Sequence, residues 1–194
     1  MKSQVTTKRG DNGFSTALSG ESYPKSHPVM ECVGSVDELR AHTAMLRLRI
    51  LEGKPEDSEA VAQFLLWLLH TYFVIGTACS DPQNRHPEYH KGAITAREIT
   101  RLEAEQTRLE ERTPLPHAFV VSASNTLAAQ ADITCTVARR LERNVVRLME
   151  AVPEFQAGDI LVFLNRLSDF LYILARRLEH PRHETVDYKL LDAT

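Results

Sequence analysis

Apolar residues recur at alternating intervals of three and four along much of this chain, which is the spacing of one face of an α-helix. The pattern is strictest in the C-terminal half, where it predicts a fourth helix from about Asn125 to Met149 and a fifth from about Asp159 to Glu179. Two long helices with such apolar seams favour lengthwise packing at a shallow crossing angle. The pattern therefore predicts a helical bundle.

Three earlier helices complete the predicted bundle. The first begins at Ser35, because Ser35 and Glu38 have the S-x-x-E spacing of a capping box, and the mostly charged third helix begins at Thr95 for the same reason. The second is the apolar run from about Ser58 to Cys79. This run is long enough to span a bilayer. Polar residues such as His70 interrupt it and no basic flank follows it, so we interpret it as a helix buried at the centre of the bundle.

The remaining segments are predicted to be irregular. Residues 1–30 are rich in Gly, Ser, Thr and Pro and lack apolar periodicity, and only Phe119–Ser122 has β character. We therefore predict an all-α fold with a single domain over residues 1–194. It consists of an N-terminal loop (1–30), a helical bundle (31–179) and a polar tail (180–194).

Composition limits the classes of partner that this chain is expected to bind and indicates its compartment. The net charge is −3, whereas a general binder of nucleic acids or membrane surfaces usually has an excess of Lys and Arg. Any anion site must therefore be a local cluster. The chain has three cysteines in no paired pattern (Cys32, Cys79 and Cys135) and no apolar stretch near its N-terminus, so we expect reduced thiols and a cytoplasmic protein.

Two segments have the composition of an anion site. Thr6–Thr16 combines glycines, hydroxyls and two cations, which suit a phosphate group, although a plain surface turn explains the same composition. On the fourth helix, Arg139, Arg143 and Arg147 share one face with Arg140 beside them, and this cluster is either a triphosphate site or a solvated basic face.

Polar residues also interrupt the apolar pattern of the fifth helix. Asn165 and Asp169 lie four residues apart, so they share a face, and they either contribute to a site or form a polar network that fixes the register of the bundle. His86 and His90 lie in a Pro-rich stretch, and His180 and His183 lie near the tail. We interpret all four as surface histidines rather than metal ligands.

Taken together, five ordered motifs resemble the PduO-type ATP:cob(I)alamin adenosyltransferases. They are TKRGDNGFST, GESYPK, VGSVDEL, RRLER and NRLSD, and the resemblance covers most of residues 5–179. It implies an up-down, ferritin-like five-helix bundle that forms homotrimers with active sites between subunits. It also implies transfer of the 5′-deoxyadenosyl group of MgATP to the cobalt of cob(I)alamin, with release of triphosphate. Further partners implied by the resemblance are a cob(II)alamin reductase and an adenosylcobalamin-dependent enzyme.

The resemblance also assigns site residues. Asp37, Phe119 and Arg139 would be catalytic, and Phe119 would help to displace the lower ligand of cobalamin. Mg²⁺ would be held mainly by the ATP phosphates, with Glu142 as a candidate protein ligand. The ATP-binding residues would be Thr7, Lys8, Arg9, Gly10, Ser15, Thr16, Lys25, Arg139, Arg140, Glu142, Arg143 and Asn165.

Three departures from the family pattern leave alternatives open. Arg9 stands where the family usually has Thr, Ser122–Ser124 replaces a glycine-rich turn, and Cys135 replaces an arginine that normally pairs with the residue matching Asp37. Asp37 is therefore expected to be exposed or to use another cation, such as Arg40. Two other hypotheses are a non-catalytic protein that binds ATP or delivers a corrinoid, and a purely structural bundle.

Overall fold

The computed structural model describes residues 6, 8–179 and 183–191. In this part of the chain an antiparallel hairpin of β1 (Phe14–Thr16) and β2 (Ser22–Pro24) precedes five long helices. Short 3₁₀ helices occupy Pro87–Tyr89 and Tyr188–Leu191. The long helices are α1 (Pro28–Gly53), α2 (Ser58–Ser80), α3 (Ala96–Glu110), α4 (Thr126–Ala151) and α5 (Asp159–Glu179). The predicted all-α helical bundle is confirmed.

Helix α4 lies between α1 and α5, α2 packs on α1 and reaches α5 through aromatic side chains, and α3 packs on α5. Hydrogen bonds across the α1–α4 contact show that these helices are antiparallel. Asn144 donates to Ser35 Oγ at 2.7 Å, and Gln130 donates to the His42 carbonyl at 3.3 Å. The beginning of α1 therefore lies beside the C-terminal half of α4.

The apolar seams of α4 and α5 form the centre of the core, as their spacing predicts. Leu127 on α4 and Leu178 on α5 are only partly buried. The other residues of the two seams are buried: Ala131, Thr134, Ala138, Leu141, Val145 and Leu148 on α4, and Ile160, Leu164, Leu167, Leu171 and Leu174 on α5. Aromatic side chains extend the core to α2, where Phe64 lies 5.0 Å from Phe170, measured between ring centroids. Burial of this continuous apolar surface provides the main driving force for folding.

The predicted start of the first helix at Ser35 is wrong. The helix begins at Pro28, and His27 Nδ1 accepts a hydrogen bond from the Val29 amide at 3.2 Å. Proline suits the first helical position because it has no amide hydrogen to leave unpaired. Ser35 is instead buried inside the helix, where its S-x-x-E spacing with Glu38 imitates a cap.

The first 30 residues are not all loop, because β1 and β2 occupy part of them. Each strand has only three residues, too few for an alternating apolar pattern. Within Phe119–Ser122, where β character was expected, Val120 forms an isolated antiparallel bridge with Thr185. The tail predicted over 180–194 therefore contacts this segment through its described residues.

Helix α2 lies at the side of the bundle rather than at its centre. It has the length and apolarity of a membrane span. One face is buried, whereas Phe73 on the opposite face is 57% exposed. The capping box of α3 at Thr95 and Glu98 is confirmed. Most of the charged positions of α3 are exposed, as expected.

Candidate functional site

The N-terminal hairpin holds a cluster of cations around a close turn. The Lys25 amide donates to the Gly13 carbonyl at 2.9 Å, and Gly13 has a φ of 84°, which favours glycine. A Cβ atom added to Gly10 would lie 3.2 Å from Lys25 Nζ, so the absence of a side chain there lets the ammonium approach the backbone. Lys8 and Arg9 are exposed at the same turn.

The hairpin is attached to the end of α2. The amides of Leu18 and Ser19 donate to Oγ and to the carbonyl of Ser80 at 2.9 and 3.2 Å, and Glu21 forms an ion pair with Arg85. Ser15 and Thr16 both lie in β1, whereas Thr7 lies outside the described residues. None of the hydrogen bonds or ion pairs of residues 8–25 reaches α4 or α5.

The arginines of α4 fall into two groups. Arg140 forms an ion pair with Glu38 of α1, and Arg147 donates to Asn144 Oδ1 at 2.8 Å. Arg139 and Arg143 are exposed, and neither has a carboxylate partner within the described part of the chain. These two guanidinium groups are therefore available for an external anion.

Asn165 of α5 lies beside the part of α4 that carries these arginines. Its Nδ2 donates to Glu142 Oε1 at 3.4 Å, and its Oδ1 accepts from Arg166 at 2.6 Å. Arg166 also pairs with Glu103 of α3 at 3.1 Å. The predicted site residues Glu142 and Asn165 are thus adjacent, and they lie on the two helices that carry Arg139 and NRLSD.

Asp37 pairs with a cation other than the family arginine that Cys135 replaces. Its side chain is 63% exposed and its Oδ1 lies 2.7 Å from Arg40, which also stacks over the Phe73 ring at 4.1 Å. Cys135 is buried and its thiol donates to the Ser168 carbonyl at 3.2 Å. Burial raises the pKa of the Cys135 thiol, although the neighbouring Arg139 acts in the opposite direction. Cys135 therefore contributes to the α4–α5 contact as a neutral thiol.

Phe119 is 78% exposed and lies on a two-stranded ribbon. The Val121 amide donates to the Glu184 carbonyl at 2.8 Å, and the Val186 amide donates to the Phe119 carbonyl at 2.9 Å. In the turn after this segment, Ala123 adopts a φ of 66°. Glycine adopts that conformation at lower cost, which accounts for the glycine-rich turn that the family pattern has there.

The described residues contain no group of three or more His, Cys, Asp or Glu side chains that could hold a metal ion. His86 and His90 bind carboxylates instead, with Glu88 at 2.9 Å and Asp81 at 3.1 Å. Both rings remain partly exposed. His180 lies outside the described residues, whereas the His183 ring is mostly buried, so its expected surface position is wrong.

Sequence reasoning missed several partners of the site. Glu38 pairs with Arg140, Arg166 donates to its neighbour Asn165, and Glu103 in turn pairs with Arg166. Glu38 and Glu103 each lie on a different helix from their partner. Their pairing depends on which helices are neighbours and in which direction they run. The i, i+3 spacings of Asp37 with Arg40 and of Asn144 with Arg147 are the signals that the sequence contained.

Comparisons with known proteins all point to the same family. The family model for cobalamin adenosyltransferase matches residues 5–178. The human corrinoid adenosyltransferase MMAB is 31% identical over 173 residues, which cover 89% of this chain and 68% of the relative. A cobalamin adenosyltransferase from Cupriavidus metallidurans is 31% identical over 178 residues, which cover 91% and 88% of the two chains.

Two further matches concern length and fold. The corrinoid adenosyltransferase PduO of Salmonella typhimurium is 30% identical, and the match covers 93% of this chain and 51% of the relative, so this chain spans about half of that protein. A variant PduO-type ATP:corrinoid adenosyltransferase from Lactobacillus reuteri, complexed with cobalamin and ATP, superimposes with a TM-score of 0.81. At 23% identity, with 96% and 97% of the two chains covered, this likeness shows a shared fold.

Proposed function

Because this chain belongs to the cobalamin adenosyltransferase family, we propose that it transfers the 5′-deoxyadenosyl group of MgATP to the cobalt of cob(I)alamin. One observation supports this proposal above the others. Arg139 and Arg143 present guanidinium groups without carboxylate partners in the described chain, next to the adjacent pair Glu142 and Asn165. A polyanionic substrate such as a triphosphate needs several donors of this kind.

The residue set suits this chemistry. The cobalt of cob(I)alamin attacks C5′ of ATP, a Co–C bond forms, the C5′–O bond breaks, and its electron pair leaves on triphosphate. Cob(I)alamin is itself a strong nucleophile, so no general base is required. The protein must align the reactants and stabilise the negative charge of the leaving group.

We assign the triphosphate to two sets of residues. Lys8, Arg9 and Lys25, with Gly10 and the β1 hydroxyls, would surround it from the hairpin, and Arg139 and Arg143 would complete the site from α4. Arg140 would contribute less to phosphate binding, because Glu38 already neutralises it. Oxygen ligands suit Mg²⁺, and Glu142 supplies one beside Asn165. With no larger acidic cluster in the described residues, the ion would enter as part of MgATP.

We also propose a homotrimer in which two subunits complete each site. Residues 8–25 have no hydrogen bond or ion pair to α4 or α5 of their own chain, which fits a site completed by a second copy. An exposed face of α1, which we call the α1 stripe, would form part of the contact. The stripe consists of Asp37, Ala41, Met45, Leu48 and Leu51.

The cysteines indicate the compartment, and the chemistry of the reaction indicates how the substrate is supplied. The three cysteines are free and buried, which fits a reducing compartment such as the cytoplasm. Cob(I)alamin must be produced by one-electron reduction of cob(II)alamin, so a reductase is the expected partner upstream. An adenosylcobalamin-dependent enzyme is the expected recipient of the product.

The deciding experiment is an anaerobic mixture of the purified protein, MgATP and chemically reduced cob(I)alamin, followed by visible absorbance. We expect conversion to the spectrum of adenosylcobalamin over many turnovers. Absence of conversion with ATP still bound in calorimetry would favour the non-catalytic binding protein, for which the replacement of the family arginine by Cys135 is the motivation. If the protein neither forms adenosylcobalamin nor binds ATP, the result would favour the purely structural bundle.

A further inference from the structure

A buried carboxylate at the end of α5 contacts the segments that flank the Phe119 ribbon, which we define as residues 119–121 and 184–186. Glu179 Oε1 accepts a hydrogen bond from the Ser124 amide at 2.9 Å, just beyond the first strand. Glu179 Oε2 lies 3.3 Å from His183 Nδ1, just before the second strand. The Glu179 side chain is 1% exposed.

An ionic network fixes this carboxylate in place. Arg176, whose side chain is also 1% exposed, lies 3.3 Å from Glu179 Oε2 and 2.7 Å from Asp132 Oδ2 on α4. A buried carboxylate needs such a counter-charge and hydrogen bonds to remain stable. Asp132 shares Arg176 with Glu179, but in the described structure it has no hydrogen bond to the ribbon or its flanking residues.

Apart from Glu179, one other hydrogen bond within the described residues joins the turn after the first strand to α5, from the Asn125 side chain to the Leu178 carbonyl at 2.9 Å. Two strands of three residues are unstable alone, and the side chain of Phe119 is mostly exposed. The turn at Ala123 is strained, because a left-handed conformation is unfavourable for a residue with a Cβ atom. Such a conformation persists when its surroundings fix it, and the bond from Glu179 to the next amide, Ser124, does so here.

We propose that Glu179 is a positioning residue that fixes the Phe119 ribbon, and with it the ring that would face the corrinoid. Only the consequence for the corrinoid rests on the proposed function. The contacts themselves join a carboxylate, an amide and an imidazole within one chain.

The structural claim is tested by hydrogen–deuterium exchange at short labelling times, followed by mass spectrometry. We expect Glu179→Ala to speed exchange in peptides that contain Val121 and Val186. Asp132→Asn is the matched control, because it perturbs the same Arg176 without removing a contact to the ribbon, and we expect it to leave these peptides protected. Equal exchange in the two variants, or unchanged protection in Glu179→Ala, would overturn the proposal.

The functional consequence is tested by steady-state kinetics. In Glu179→Ala the KM for cob(I)alamin should rise about tenfold, because the ribbon that this charge-assisted hydrogen bond now orders would have to be ordered at the expense of corrinoid binding. The dissociation constant for MgATP should change less than about twofold. Glu179→Gln keeps an acceptor for the Ser124 amide and should have an intermediate KM, whereas Asp132→Asn should match the wild type.

The outcomes separate the two proposals. Equal loss of ATP and corrinoid binding in Glu179→Ala would show a general structural defect and overturn the positioning role. If the wild-type protein forms no adenosylcobalamin, the proposed function fails, and the exchange comparison still decides whether Glu179 fixes the ribbon.

Discussion

Four arginines follow one another along α4, and their neighbours decide what each can do. Arg140 and Arg147 already have partners within the chain, in Glu38 and Asn144. Arg143 has no ion pair or hydrogen bond within the described residues, and Arg139 lies beside the neutral thiol of Cys135. The arginines therefore differ in which of them are free to bind an external anion, although they have similar spacing in the sequence.

Arg143→Ala should raise the dissociation constant for MgATP about tenfold or more, because a charge-assisted hydrogen bond contributes roughly 1.5–3 kcal/mol. Its unfolding free energy should change by less than about 0.5 kcal/mol, since no described contact is lost. Calorimetric titration and thermal unfolding measure the two quantities. Arg147→Ala removes the same charge one turn away and should retain affinity. Equal affinity of the Arg143 variant and the wild type would contradict the assignment.

The connection between α2 and α3 is organised by a buried acid rather than by an apolar core. Asp81 is 1% exposed and accepts hydrogen bonds from the amides of Arg85 and His86 at 2.9 and 2.8 Å, and it lies 3.1 Å from His90 Nε2. Burial acts to raise the pKa of Asp81, but these hydrogen bonds outweigh it, so the pKa is lowered. The segment supports Ser80, to which the hairpin is attached.

A lowered pKa makes this connection sensitive to acid. Asp81 has a lower pKa in the folded than in the unfolded chain, so its stabilisation is present above the unfolded pKa of about 3.9 and is lost as pH falls through the folded pKa. In urea unfolding at pH 7, Asp81→Asn should lower the unfolding free energy by about 1–3 kcal/mol. Its difference from the wild type should shrink below about pH 4.

Glu154→Gln is a suitable control, because this side chain is exposed in the α4–α5 connection, and it should follow the wild-type curve. A difference between Asp81→Asn and the wild type that stays constant from pH 7 to pH 3 would show that the charge of Asp81 is not what stabilises the connection.

The outer surface of the bundle is divided between charged and apolar faces. Along the α1 stripe, Met45 and Leu48 are 46% and 51% exposed, and Phe73 of α2 is also exposed. Single exposed apolar residues are ordinary, but a row of them along one helix suggests a contact with another protein. In our proposal that contact is a second copy of this chain.

Leu48→Glu should therefore dissociate the assembly, because it places a charge within an apolar interface. Sedimentation velocity should show a shift from trimer to monomer, and MgATP affinity should fall with it if each site is shared. Ala104→Glu adds the same charge at an exposed position of α3 and should remain a trimer. A wild-type monomer with full ATP affinity would reject the shared site.

The sequence alone determined the helical bundle, most helix boundaries and the order of the site motifs, because helical periodicity and capping depend on residues within a few positions of one another. It failed at Ser35, where an interior pair imitates a cap, and at the hairpin, whose strands are too short for a pattern. Only the tertiary structure decided that Arg140 pairs with Glu38, that Asp37 pairs with Arg40 rather than with position 135, and that Glu179 holds the Phe119 ribbon. Most of these pairings join residues far apart in the chain, so they depend on the direction and register in which the helices pack.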